Sequence, residues 1–265
     1  MSSLLIGSVI TGLAAGVVAG LFGVGGGIII VPVLLFLFHL DGFNPAFSMQ
    51  LAVGTSLATI IITNISATWN HQRRNSVHWQ LFFQFTPGIL IGAWLGAIIA
   101  AVMDGQMLKQ LFGAFEILVG LRMIFSGTAA ESTTAIKGNT LLNSTFAIGI
   151  GTVSSMFGIG GGTLSVPVLN MINKLPIRMA VGTSSAIGVA LAMAGAGGFI
   201  HAGWNNAALP THSWGFVVPE VFIGIIIGTL ITTPFGVRLA HGLDPHILKR
   251  SFGLFLLIVG AKLLL

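Results

Sequence analysis

At 265 residues, with 54% hydrophobic and 6% charged residues and a mean hydropathy of +0.99, the chain has too little polar surface to coat a water-soluble sphere. It reads as an integral membrane protein. A pI near 10.5 does not mark a nucleic-acid binder, because only 11 Lys and Arg are present and they sit in short loops between apolar runs, where they report topology. The absence of cysteine excludes disulfides and thiolate chemistry.

In chain order, Met1-Ser2-Ser3 lacks the basic stretch of a cleaved signal, so the first apolar run is expected to stay in the mature protein. Residues 4–22 form an apolar helix rich in Gly and Ala, a composition that lets membrane helices approach closely. There follows Phe22-Gly23-Val24-Gly25-Gly26-Gly27-Ile28-Ile29-Ile30-Val31-Pro32, in which four glycines permit positive φ and bare N–H groups. Residues 28–40 are apolar but too short to cross roughly 30 Å of hydrocarbon, which predicts a half-helix. Unwound backbone at membrane depth is tolerated only inside protein or along a cavity, so the glycine tip is expected in the interior. Residues 46–69 form a third segment containing Val53-Gly54-Thr55-Ser56, residues 80–102 a fourth with Pro87, Gly92 and Gly96, and a fifth runs through Leu108 to Gly120.

The same order then returns. Phe157-Gly158-Ile159-Gly160-Gly161-Gly162-Thr163-Leu164-Ser165-Val166-Pro167 repeats the tip, Val181-Gly182-Thr183-Ser184 the third segment, and Pro219, Gly224 and Gly228 within residues 214–235 the fourth. Leu248-Lys249-Arg250-Ser251-Phe252-Gly253-Leu254-Phe255 repeats Leu108-Lys109-Gln110-Leu111-Phe112-Gly113-Ala114-Phe115. The chain is a tandem duplication, with a first transmembrane repeat at 1–125, a polar linker at 126–140 and a second repeat at 141–265, the two forming one transmembrane unit. The loop holding Arg73 and Arg74 has a counterpart, His201 to Ser213, without Lys or Arg, while neighbouring loops reverse this preference. Equivalent loops therefore lie on opposite sides. The positive-inside rule places Arg73, Arg74, Arg122, Lys137, Lys174, Arg178, Arg238, Lys249 and Arg250 in the cytoplasm and both termini outside. The fold expected is all-α and polytopic: two inverted repeats of about five helical segments, each with a Gly-rich broken or re-entrant helix pair.

Inverted repeats with broken helices are the architecture of secondary transporters, which bind substrate near the midplane. Each glycine tip precedes a helix N-terminus carrying partial positive charge and unpaired N–H groups, and two such ends aimed at one cavity favour a small anion. No Lys or Arg falls mid-span, so neutral donors complete the site: Thr55, Ser56, Thr183, Ser184, Asn64 and Ser165. Tight packing is the alternative role for the glycines, and hydrogen bonds to their own helix carbonyls are the alternative for the hydroxyls.

The doubled glycine signature followed by Pro, the Val-Gly-Thr-Ser element and the later His resemble the TauE/SafE sulfite exporter family, within the 4-toluene sulfonate uptake permease superfamily. The resemblance covers both halves and implies a permease of the bacterial inner membrane for sulfite or an organosulfonate such as sulfoacetate, exporting in some members and importing in others. By position it places the signature on Gly23, Gly25, Gly26, Gly27 and Pro32, on Gly158, Gly160, Gly161, Gly162 and Pro167, and on Gly54-Thr55-Ser56 and Gly182-Thr183-Ser184. An anion channel on the same fold stays open as an alternative. An intramembrane enzyme would need a nucleophile with its base, or a metal triad, and no such spacing occurs. No cofactor and no metal site are expected; the partners expected are the small anion, the bilayer and a coupling proton, with a homo-oligomer left open.

Four residues are candidates for that coupling. His71 and His201 stand seven residues after Asn64 and Ala194, with interfacial hydrogen bonding as the other reading. Glu116 and Glu220 fall inside expected spans, where an ionisable group is costly and marks function by default. Neither is duplicated, Leu256 replacing the first and Gly88 the second. Glu220 follows Pro219 at a helix start, where a carboxylate also serves the N-terminal N–H groups.

Overall fold

In a computed structural model, which describes residues 2–22, 26–125, 140–242 and 245–265, the apolar runs fold as helices. They are α1 (Ser2–Phe22), α2 (Gly27–Leu40), α3 (Pro45–Gln72), α4 (Trp79–Val102), α5 (Gly105–Phe125), α6 (Thr140–Met156), α7 (Gly162–Met171), α8 (Ile177–Gly203), α9 (Pro219–Gly242) and α10 (Pro245–Leu264). Among the described residues there is no strand, only an isolated bridge between Trp214 and Val217. The expected linker, residues 126–140, lies outside the described residues apart from Thr140.

Length sorts these helices. Among the described residues α3, α4 and α8 are each long and apolar enough to cross a membrane. With 14 and 10 residues, α2 and α7 reach only about 21 and 15 Å at 1.5 Å per residue, so both are half-helices. Tryptophans mark the ends of the long spans. Trp69 and Trp79 are exposed beside the Arg73-Arg74 turn, and Trp204 and Trp214 are exposed along the connection from α8 to α9, as amphipathic rings are at membrane interfaces.

Glycines set which helices touch. α1 lies against α9, α4 against α6, α5 against α10 and α3 against α8. A Cβ on Gly12 would fall 2.8 Å from the Cα of Ile225, one on Gly92 2.9 Å from that of Ile148, and one on Gly96 2.9 Å from that of Thr152. Gly113 and Gly260 each leave room for the other's carbonyl, as do Gly120 and Gly253. Close backbone approach of this kind substitutes for the hydrophobic effect, which does not act between helices in lipid. All four pairs join the first half of the chain, α1–α5, to the second, α6–α10.

The centre is the crossing of α3 and α8. Every residue of α3 from Ser48 to Ile60 is buried, and the facing pairs Gly54 with Phe199, Leu57 with Gly195 and His71 with Gly182 show the helices running antiparallel. α3 starts sharply because Pro45 occupies its first turn and the Asn44 side chain accepts the Ala46 N–H at 3.1 Å, a standard N-cap.

Three expectations need correction here. The segment expected at 214–235 begins as a helix only at Pro219; before it, Trp214 and Val217 exchange backbone hydrogen bonds of 2.8 and 3.0 Å. Proline has no N–H and suits the first helical position, so it fixes the start. Secondly, Gly182 packs on His71 as Gly54 packs on Phe199, so the counterpart of His71 in these contacts is Phe199 and not His201. Thirdly, the N–H just before α9, that of Val218, and the N–H just before α4, that of His78, play the same part. Pro219 therefore corresponds to Trp79 rather than Pro87, and Glu220 to Gln80 rather than Gly88. The connection 204–218 is longer than its counterpart 73–78, which conceals this register in the sequence.

Candidate functional site at the glycine tips

Both tips turn the chain by the same device. Gly26 has φ 79° and Gly161 φ 77°, left-handed values at the N-cap that side chains rarely adopt. The carbonyl of each accepts the first helical N–H groups, from Ile29 and Ile30 at 3.0 Å in α2, and from Leu164 and Ser165 at 3.1 and 2.8 Å in α7. The preceding N–H groups, of Gly27 and Ile28 and of Gly162 and Thr163, have no partner within their helices. Neither N-cap offers a side-chain oxygen. Farther in, Pro32 and Pro167 lack the N–H that would close onto the carbonyls of Ile28 and Thr163. Each half-helix thus opens with bare backbone at both poles of its first turn.

The tips touch. Gly27 packs directly against the Gly158 carbonyl, and Ser56 on α3 donates its hydroxyl to that same carbonyl at 2.9 Å. Gly158 itself has φ 66° and lies against Val31 and Val53. Around the second tip, Ser165 donates to the Gly161 carbonyl at 2.7 Å and shares a 2.7 Å hydrogen bond with Ser184. The Asn64 side chain on α3 and the Gly160 carbonyl both lie against Gly188, in space that a Cβ there would occupy.

Several buried donors here have no acceptor in the protein. They are the Asn64 amide nitrogen and the hydroxyls of Ser154, Ser155 and Thr163. Ser155 lies opposite Gly195, whose absent Cβ would fall 2.6 Å from its hydroxyl. Asn64, Ser154 and Ser155 are at most 4% exposed, and an unpaired buried polar group costs about 1–3 kcal/mol. A set of neutral donors beside a helix N-terminus, without a cation among them, suits a small anion that must leave again.

Not every expected residue joins this group. Thr55 accepts the Val218 N–H at 3.0 Å and Thr183 accepts the His78 N–H at 2.9 Å. Both hydroxyls hold the entrances of α9 and α4, at opposite ends of the α3/α8 crossing. Gly23 and Gly25 lie outside the described residues. Gly160 and Gly162 are in the second tip, Gly160 buried and Gly162 half-buried. Glu116 is fully buried on α5, and Glu220 is half-buried in the first turn of α9. His71 is half-buried at the end of α3, and His201 is exposed with its ring 5.7 Å from that of Trp94. Among the described residues no three of His, Asp and Glu gather as a metal site would require.

Ser154, Ser155 and Thr163, whose buried hydroxyls have no partner, are candidates that sequence reasoning missed. Each lies in or next to the second glycine signature, but the first half has Ala19, Gly20 and Ile28 at the matching places. Attention to duplicated positions passed them over; a search for hydroxyls within a helical turn of the tip would have found them. A separate hollow of about 470 Å³ between α4 and α8 is lined by Leu90, Ile91, Trp94, Leu95 and Ala194. Its apolar wall offers an anion nothing and suits lipid chains.

An all-helical membrane protein with broken helices meeting in its interior belongs to the class of membrane transporters. The chain is a member of the family described as sulfite exporter TauE/SafE, whose match spans residues 8–263. It is 32% identical over 266 residues to a probable membrane transporter protein of Haemophilus influenzae, covering all of both chains. It is 31% identical to the probable membrane transporter protein YunE of Bacillus subtilis over 78% of this chain and 83% of that one. With MJ0441 of Methanocaldococcus jannaschii, also named a probable membrane transporter protein, it shares 28% identity over 97% and 94% of the two chains. No solved structure matches it significantly.

Proposed function

We propose that this protein is a secondary transporter of the cell inner membrane that carries a small sulfur oxyanion, such as sulfite or an organosulfonate, by alternating access around the glycine tips. The single observation that carries this reading is that four buried donors in or facing the chain around the left-handed start of α7, those of Asn64, Ser154, Ser155 and Thr163, have no partner in the protein. The anion's oxygens accept from these groups and from the N–H groups of Gly162 and Thr163. The first tip, of which Gly26 and Gly27 are described, completes the site from the other side, and Ser165 and Ser184 orient the second. The halves, 1–125 and 141–265, act as inverted repeats with both termini outside. The reciprocal bonds of Thr55 to Val218 and Thr183 to His78 support that relation, as does the antiparallel α3/α8 pair.

Purified protein in proteoliposomes tests this with labelled sulfite, sulfoacetate, thiosulfate, sulfate and chloride. Saturable exchange of labelled for unlabelled sulfur oxyanion is the expected result. Anion current without exchange would identify a channel, and no movement of any sulfur oxyanion would remove the substrate assignment.

A further inference from the structure

Glu116 has no place among those donors, yet a carboxyl buried without a partner is costly. It is fully buried in the middle of α5, and neither carboxyl oxygen has a hydrogen-bond partner. It sits in the seam between α5 and α10, where a Cβ on Gly260 would fall 3.2 Å from its own Cβ. The seam does not need a carboxyl for packing. Leu256, three residues after Gly253 as Glu116 is three after Gly113, is also fully buried and fills its own side with carbon alone.

The same helix reaches the second tip. Phe112, one turn before Glu116, has its ring 5.9 Å from that of Phe157, and Phe115, the residue just before Glu116, has its ring 5.0 Å away. Phe157 leads directly into Gly158, the glycine that touches Gly27 and takes the Ser56 hydroxyl. Any shift of α5 against α10 is therefore felt where the tips meet.

Among the described residues the charged and titratable groups on the helices packed against α5 are few. From α10 Gly260 faces Glu116, while Gly253 and Leu257 line the same seam against Gly120 and Leu263 against Gly113; Arg250 is exposed, and the exposed Lys262 places its ammonium 5.9 Å from the centre of the Phe36 ring. On α3 Gln50 lies beside Gly105 at the start of α5, while His71 is at the far end against Gly182. On α5 itself Lys109 lies about two turns away and Arg122 is exposed in the last turn. A carboxyl so placed carries charge in the membrane only with a companion ion, and the smallest companion is a proton.

We infer that Glu116 is a proton-binding site whose occupancy is coupled to the anion site through Phe112, Phe115 and Phe157. The coupling rests on the transport reading given above. Protonated, the side chain lets the α5/α10 seam close; on losing its proton it requires the seam to open toward water, and the aromatic contact passes that movement to the tips.

Labelled sulfite uptake by proteoliposomes, with and without an imposed pH gradient, tests the coupling. Wild-type uptake should respond to the gradient, Glu116→Gln should lose the response, and Glu220→Gln, altering only the half-buried start of α9, should keep it. Gln preserves the shape of Glu, so a packing role predicts an unchanged response, and that result overturns the inference. Glu116→Leu, copying Leu256, is the second variant should Gln prevent folding, with the same two outcomes. If wild-type protein exchanges no sulfur oxyanion, the transport reading falls and infrared difference spectra between acid and alkaline buffer decide the proton site. A protonated-carboxyl band present in wild type and absent from the variant supports it; identical spectra overturn it.

Discussion

Replacing Thr55 by Val removes one acceptor and almost nothing else, since the two side chains have nearly the same shape. In the structure that acceptor serves the Val218 N–H, and both partners are buried. The stranded N–H costs about 1–3 kcal/mol, which at 1.4 kcal/mol per decade is roughly a 5- to 150-fold fall in the folded ratio. Thr183→Val does the same to the His78 N–H, but His78 is half-buried and water can replace the lost bond, so the cost falls to about 0.5–1.5 kcal/mol. The facing pairs of α3 and α8 place the two threonines about 20 Å apart along the helix axes, too far to couple, so the double variant should lose the sum to within about 0.5 kcal/mol. Unfolding of purified protein in detergent measures all three, and Thr55→Ser, which keeps the hydroxyl, should recover most of the loss. The reasoning fails if Thr55→Val unfolds like wild type yet no longer exchanges anion, because the hydroxyl would then belong to the ligand and not to the entrance of α9.

At Gly161, alanine must adopt φ 77° at about 1–2 kcal/mol, while its methyl meets only the flexible end of Leu191 at 3.1 Å; reduced thermal stability and weaker anion exchange are expected, and wild-type behaviour in both would refute the N-cap argument. Asn64→Leu removes a buried donor with no protein acceptor, so stability should hold or rise while the concentration for half-maximal sulfite exchange increases; unaltered exchange kinetics would take Asn64 out of the site. Gly27→Leu forces the two tips apart at the Gly158 carbonyl and should abolish exchange with the protein still inserted, as a flotation assay and a flux assay together report. Wild-type flux in that variant would mean that tip contact is dispensable.

The helices of the described residues and their half-length members were legible because apolar run length and glycine content act locally. The tips were legible for the same reason, the signature Gly-x-Gly-Gly-Gly being a backbone requirement written in residue type. What stayed hidden depended on pairing. The roles of Thr55 and Thr183 turn on the N–H groups of Val218 and His78, more than a hundred positions away in each case, and no local pattern announces such partners. Spacing counted along the chain also set His71 beside His201. The contacts choose Phe199 instead, since a helix face repeats by angle and tolerates no two-residue drift. Ser154, Ser155 and Thr163 escaped because repetition was used as the guide, while the two tips differ in their polar dressing.

The pairing of α1 with α9 has a consequence for how the protein is made. Gly12 lies against Ile225, and the Gly12 and Leu13 carbonyls accept hydroxyls from Thr229 and Thr232, yet more than two hundred residues separate these partners in the chain. At about 5–20 residues per second, synthesis takes roughly ten to forty seconds to supply them. During that wait α1 sits in the bilayer with its glycine face covered only by lipid. Its late partner arrives after α3 and α8 have had time to cross, so the seam between α1 and α9 closes late, with only the packing of α10 on α5 still to follow. A ribosome stalled before α9 therefore leaves an inserted but unclosed intermediate, the form that membrane quality control would meet.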